Sequence, residues 1–398
     1  MLKIPINLDP DRVPDFFDYL VVKIESQGKW KGEGSFNESN QYIEKLYLSL
    51  SQKGYKDGQI VLTVIWNQDG TIEPIIIEKN GNLPDGWEQL ANDLIREALV
   101  ATVNYKREKY FCRYTYAYIG PPLDGEYYIS GFRVAPAVFP DDDQWLIDER
   151  IIYIDLYEKG IDKMHAQAIG KVRAEQIVAL LSVFLGIGIY SIPPERRWVL
   201  QDGKSCKRCQ LGYFDSKPVP TKMPKKGEVC PLGHTAKVDR NKFDSLSMKK
   251  GLLFPNDIRT LFRCYYNLSP EKSKAYIGAA SLFRISLTAG KYYPTVAMSY
   301  QIAAMDALVI GKEHNQKAFQ ELIQEFCPEA PAEFTSEIYG KIRSSHFHQG
   351  SLPGGEYEIM MIRPLRGPHF LMRFNLQREI FLISHTVLIR WLLKHGHC

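Results

Sequence analysis

The sequence holds no apolar run long enough to cross a membrane. Its longest uncharged apolar stretch, "IVALLSVFLGIGIYSI" at 177–192, contains two glycines and falls short of the roughly 20 residues that a span requires. The charged lead-in "KMHAQAIGKVRAEQ" makes it the end of a helix, expected to be buried and to run into a strand or turn. The opening "MLKIPINLDPDRVPDFF" lacks the basic region and apolar run of a secretory leader, so none is expected. No self-similarity appears at a period of roughly 20–50 residues, which argues against a solenoid. Low-complexity tracts are missing too, and an apolar content of 45% suits a packed chain.

Cysteine is scarce and unevenly spread. The seven are Cys112, Cys206, Cys209, Cys230, Cys264, Cys327 and Cys398, of which three cluster. An odd, clustered set suits one metal site in a reducing compartment better than a disulfide framework, so a cytoplasmic protein is expected. Charge is also unevenly placed. Residues 1–200 carry 22 Lys+Arg against 29 Asp+Glu, a net −7, whereas residues 201–398 carry 28 against 17, a net +11. A basic half suits a polyanionic partner such as nucleic acid, or is a basic surface with no particular partner.

Along the chain, "QIVLTVIW" and "TIEPIIIEKNG" flank an Asp69-Gly70 turn, a hairpin signal. Helical spacing of Trp87, Leu90, Leu94 and Ala98 predicts a helix over 83–103. Aromatic and β-branched runs then predict strands in "YFCRYTYAYIG", "GEYYISGFRVAPAVF" and "ERIIYIDLYEKG", before a helix over 162–186. Beyond about residue 253 the pattern is helical, in segments 257–267, 270–289, 295–310, 314–326, 334–348 and 370–394, separated by Pro and Gly. "LSPEK" offers Ser269 as an N-cap with Pro270 at the first helical position. The fold class expected is α+β, in three parts: a mixed, β-rich N-terminal region over 1–200 with a sensing or regulatory role, a small metal-stapled module over 203–245, and an all-α bundle over 253–398.

The middle part carries the first chemical motif. Cys206-x2-Cys209 and Cys230-x3-His234 are separated by 20 residues. Three thiolates and an imidazole fill the tetrahedral corners of Zn²⁺, and a two-residue spacer lets both thiolates of a pair reach one ion. Four protein ligands leave no open position, so the ion would be structural, its binding energy folding a segment poor in apolar residues. Lys204, Lys207, Arg208, Lys222, Lys225 and Lys226 surround the cluster. They can meet RNA phosphates or simply face solvent.

The second motif is "KIRSSHFHQG" at 341–350. Arg343 and His348 are five residues apart, which on a regular helix splays them by roughly 140°. They can share a cleft if the helix unwinds near "HQGSLPGG" or if two copies meet. A neutral imidazole can take the proton from a ribose 2′-hydroxyl, and a guanidinium can stabilise the phosphorane-like oxygens, so RNA cleavage needs no metal here. The plain alternative is a solvated helix end whose histidine is favoured by the helix dipole. Of the other histidines, His385 is expected in a core, His314 at the start of a helix, and the "KHGHC" pair in a frayed tail.

Arg343-Ser344-x-x-x-His348, near the end of a long helix of the predicted bundle, resembles the R-x4–6-H signature of HEPN domains. More narrowly, residues 253–398 are similar to the ApeA-like branch of anti-phage defence proteins, including "YPTVAMSYQIAAMDALVIGKEHNQKAFQELIQEF". The resemblance implies a metal-independent ribonuclease, an abortive-infection effector often built as a homodimer with a composite site. It implies that Arg343 holds the scissile phosphate, His348 serves as acid or base, Ser344 is the polar residue after the arginine, and Asp306 orients Arg343. Two positions depart from the family pattern: Ser344 stands where Asn, Asp or His is usual, and Gln349 separates His348 from Gly350. The resemblance leaves the trigger, phage-derived or another protein, unspecified. The alternative function is a non-catalytic RNA- or protein-binding scaffold on the same bundle with a structural zinc.

Overall fold

The computed structural model describes residues 2–37, 41–49, 58–67, 69–83, 85–104, 107–129, 131–137, 149–191, 197–201, 205–209, 219–225, 251–289, 293–331, 338–339 and 368–397. The chain forms two compact units, Met1–Tyr110 with Glu158–Ala168, and Phe111–Tyr157 with Ile169–Cys398.

The first unit joins a five-stranded antiparallel sheet to two helices. Its strands are β1 (Leu2–Ile4), β2 (Lys29–Phe36), β3 (Tyr42–Ser49), β4 (Gly58–Trp66) and β5 (Ile75–Gly81), in the order β1-β5-β4-β3-β2. The helices are α1 (Val13–Gln27) and α2 (Trp87–Asn104). Strand alternation gathers Leu46, Leu48, Ile60, Leu62, Val64, Ile75 and Ile77 into one core. Phe16, Leu20 and Ile24 of α1 and Ala91, Leu94, Ile95 and Ala98 of α2 meet them at helical spacing. The Asp69-Gly70 turn forms as expected: Gly70 has φ +84°, and Asp69 Oδ1 accepts from Thr71 N at 2.9 Å.

The second unit has a five-stranded sheet, ordered β10-β6-β9-β8-β7. These strands are β6 (Glu108–Ile119), β7 (Tyr127–Ile129), β8 (Phe132–Pro136), β9 (Glu149–Gly160) and β10 (Ile189–Ser191). Helix α3 (Lys163–Leu185) runs into β10, so the apolar segment at 177–192 is a buried helix end followed by a strand. From Ile177 to Leu185 every residue is buried. A helix apolar on all sides needs neighbours all round, unlike the one-faced helices of the first unit. It stops because Gly186 takes φ +62° while Ser182 Oγ, bonded to Val178 O at 2.8 Å, accepts from Ile189 N at 3.2 Å.

Among the described residues this unit also has the helices α4 (Ile258–Tyr266), α5 (Pro270–Ala289), α6 (Pro294–Asp306), α7 (Gln316–Phe326) and α8 (Pro368–His395). They fall inside five of the six predicted helical segments or within two residues of them. The sixth, 334–348, lies outside the described residues except for Ile338 and Tyr339, which are helical and buried. Helix α6 ends at Asp306, short of the predicted 310, because the next residues tighten into i→i+3 bonds, Leu308 N to Met305 O and Val309 N to Asp306 O. Ser269 Oγ stands 3.5 Å from Lys272 N ahead of Pro270, at the expected start of α5. Strands β11 (Arg197–Gln201) and β12 (Ser205–Cys209) pair as an antiparallel ribbon. Among the described residues no helix is long and apolar enough to cross a membrane.

One aromatic node joins sheet and helices. The Phe262 ring of α4 meets Phe132 of β8 at 5.1 Å and Phe184 of α3 at 5.2 Å, both edge to face. Phe262→Ala is expected to lower unfolding free energy by about 3–5 kcal/mol. Urea titration followed by circular dichroism measures this, and a loss under about 1 kcal/mol would deny the ring its joining role.

Candidate functional site

The site expected from sequence comprises Arg343, Ser344, His348 and Asp306. The first three lie outside the described residues. Asp306 is the last residue of α6 and is only 4% exposed. Its Oδ2 stands 3.5 Å from His314 Nδ1. His314 precedes α7, where Asn315 is the N-cap and accepts from Ala318 N at 3.0 Å. Tyr339 packs on the same corner: its ring centroid is 4.9 Å from that of Phe319, and its hydroxyl is 3.5 Å from His314 O.

A polar row leads to this corner. Thr295, Ser299 and Asp306 are buried and fall within about 40° of one another around α6. Ser299 Oγ donates to Thr295 O at 2.9 Å. A buried carboxylate at such a corner can receive a guanidinium or imidazolium through charge-assisted hydrogen bonds.

Of the zinc candidates, Cys206 and Cys209 lie on β12, with backbone partners Leu200 and Arg197. Cys230 and His234 are outside the described residues. Among the described residues no group of three or more His, Cys, Asp or Glu could hold a metal. Cys112 and Cys327 are buried and not disulfide-bonded, but Cys264 is disulfide-bonded, which departs from the expectation of a reducing compartment without disulfides. Burial, with Glu329 close by, pushes the Cys327 thiol up to about 11, so it is inert at neutral pH.

The remaining histidines are also placed. His385 is a packed residue, stacked on Phe381 at 5.7 Å, and its Nε2 donates to Val183 O at 2.8 Å. That bond satisfies a carbonyl in the last turn of α3. His395 packs against Trp391 at 4.5 Å and receives Lys272 Nζ at Nδ1 over 3.1 Å, so it is not frayed. Burial, with Lys272 and Lys394 beside it, lowers its pKa from 6.5.

Two polar clusters escaped the sequence reading. In the first, Glu175 of α3 gathers four donors: Tyr116 Oη at 3.1 Å, Ser191 Oγ at 2.7 Å, Lys171 Nζ at 3.0 Å and Arg284 Nη1 at 2.7 Å. Burial works to raise its pKa, yet the bonds from Arg284, Ser191 and Lys171 outweigh it and hold the carboxyl at about 2. Burial, with Glu175 beside it, drives the Tyr116 phenol upward. A phenol that stays protonated and a carboxylate that stays ionised make a clamp, not an acid–base pair. The signal was Lys171 and Glu175 at i,i+4 just ahead of the apolar segment of the helix.

In the second cluster, fully buried Asp155 of β9 is held bidentately by Arg113, at 2.7 and 2.9 Å, and by Arg133 Nη1 at 2.5 Å. Arg133 also meets Glu126 at 2.8 Å, and Arg113 lies over the Tyr153 ring at 4.3 Å. Arg133 and Asp155 face each other in register on β8 and β9. A charged residue inside the apolar run "IIYIDL" was the legible sign.

No family model, curated protein or solved structure matches this chain.

The Glu175 clamp sets an acid limit on stability. A carboxyl lowered from 4.5 to about 2 contributes stability that is complete above pH 4.5 and lost as pH falls toward 2. Glu175→Gln is expected to lower stability at pH 7 and to flatten its pH dependence between 4.5 and 2. Denaturation at a series of acid pH values tests this, and an unchanged slope in the variant would assign the acid sensitivity elsewhere.

Proposed function

We propose that the chain is a metal-independent endoribonuclease of the HEPN type, acting as an anti-phage, abortive-infection effector. The observation that carries this reading is the packing of Tyr339, four residues before Arg343, beside the buried carboxylate corner of Asp306 and His314. In the mechanism, neutral His348 takes the proton from the substrate's 2′-hydroxyl. The O2′–P bond forms and the P–O5′ bond breaks, leaving a 2′,3′-cyclic phosphate and a 5′-hydroxyl that acquires a proton. Arg343 stabilises the phosphoryl oxygens as they gain charge, Asp306 orients Arg343, and Ser344 supplies the neighbouring polar contact. Two copies complete a composite site in a homodimer, working in the cytoplasm in response to a phage-derived or other protein trigger.

Cys206, Cys209, Cys230 and His234 would hold a structural Zn²⁺ that staples residues 203–245, with the lysines around it available to RNA phosphates. Three thiolates and one imidazole are a donor set that zinc fills completely. Atomic emission on the purified protein is expected to find one zinc per chain. Cys230→Ser should lose it and become sensitive to protease within 203–245.

The catalytic reading is tested with RNA and purified protein in buffer without added divalent metal. Products with cyclic-phosphate ends are expected, with Arg343→Ala and His348→Ala each slowed by about 10²-fold or more at unchanged circular dichroism. Full cleavage by the His348→Ala protein would overturn the mechanism. RNA binding that weakens steeply with salt, without cyclic ends, would favour the scaffold function.

A further inference from the structure

Strand β2 ends the sheet of the first unit, and among the described residues no strand pairs with its outer edge. Its eight residues, "KWKGEGSF", are all exposed. They keep unbroken register with β3, from Lys29 opposite Ser49 to Phe36 opposite Tyr42, with neither a bulge nor a proline. The opposite edge, β1, has only three residues. A long, regular, uncovered edge is a template for a further strand.

The hairpin fixes which backbone groups point outward. Asn37 N donates to Gln41 O at 3.0 Å, and that pair continues the β2–β3 register. Every second residue before it, Ser35, Glu33, Lys31 and Lys29, therefore turns its backbone toward β3, whereas Trp30, Gly32, Gly34 and Phe36 turn theirs outward. The face that carries these outward residues has three uncovered rings: Phe36 is 70% exposed, and Trp30 and Tyr42 are each 38% exposed. Trp30 Nε1 donates to Glu25 Oε1 at 3.1 Å, and the Phe36 and Tyr42 rings meet at 5.3 Å. Glycine at 34 admits Tyr42, because a methyl group there would strike the phenol oxygen.

The charges identify what fits this edge. When a second copy of the chain pairs antiparallel about Gly32, Lys31 of each copy faces Glu33 of the other in a non-hydrogen-bonded pair, where side chains stand closest. Lys45 of β3 already lies opposite Glu33 within one chain, so charges alternate in sign across the junction. Trp30 of each copy comes opposite Gly34 of the other, beside the Tyr42 ring. Other registers lose this match. Centring on Lys31 or on Glu33 sets like charges face to face, centring on Trp30 sets Lys29 against Lys31, and centring on Gly34 leaves Lys31 opposite Asn37 and Glu33 opposite Ser35. We propose that two copies of this chain join edge to edge through β2, in a symmetric pair centred on Gly32. The pairing uses no residue of the nuclease reading and is tested apart from it.

The test is hydrogen exchange of the full chain, read amide by amide at low and high concentration beside its sedimentation. Protection at Trp30, Gly32, Gly34 and Phe36 is expected to rise with concentration, together with the sedimentation coefficient. Lys31 and Glu33, bonded inward to β3, should stay protected throughout. Glu33→Lys and Lys31→Glu each set like charges across the junction and should lose the rise at unchanged circular dichroism. The double variant Lys31→Glu/Glu33→Lys restores opposite charges and should regain it. A rise that survives in both single variants, or a double variant that stays unprotected, would overturn the pairing. Outward amides that exchange freely at every concentration would also overturn it and leave the edge to an extended segment of a different protein.

Discussion

A helix that is apolar on every side cannot stand at a surface, and the second unit is organised around that constraint. From Ile177 to Leu185 the chain offers no polar face, and its one hydroxyl, Ser182, is consumed by backbone groups. The rest of the unit encloses this segment. Leu185, Ile187 and Ile189 share an apolar pocket with Tyr118, Val134 and Ile152 of the sheet and with Leu252 and Phe254. Phe262 covers Phe184, and α5 comes so close that any side chain at Gly188 would strike the Leu287–Thr288 backbone. Burial of this order contributes about 1.5–3 kcal/mol for each large side chain, enough to dictate the arrangement of its neighbours.

The charged groups of the unit serve this enclosure. Glu175 lies two residues before the apolar segment and draws together β6, β10 and α5, and Asp155 bridges two arginines from the strands on either side of its own. Each carboxylate is met by several donors, which offsets the cost of taking a charge out of water. Asp306 is set differently, at a helix end where α6, the approach to α7 and the Tyr339 segment converge.

The fold was largely legible where local chemistry decides it. The Asp69-Gly70 hairpin, α2 with Leu94 and Ala98 turned inward, the strands of 108–160 and the helices after 253 all follow from turn residues and periodicity. What periodicity could not supply was partnership across the sequence. Nothing near Glu175 announces Arg284, and nothing near Asp155 announces both arginines, because such pairs form only when strands and helices separated by up to 109 residues come together. The end of α6 was misplaced by four residues for a related reason: Ala307–Val309 suit a helix well enough, but tertiary packing tightens them into a narrower turn. The candidate site was legible only as a list of residue types, of which Asp306 alone lies among the described residues. Cys264 was read as an isolated thiol because cysteine spacing says nothing about which thiols meet in the fold.

The hydrogen bond from His385 to Val183 spans 202 residues of sequence. It completes the last turn of α3 with a group that a ribosome adds much later. At roughly 5–20 residues per second, synthesis leaves the apolar half of α3 without its full enclosure for ten seconds or more. The second unit must therefore finish folding late, however early its sheet is made, and its nascent form presents the kind of surface that chaperones bind.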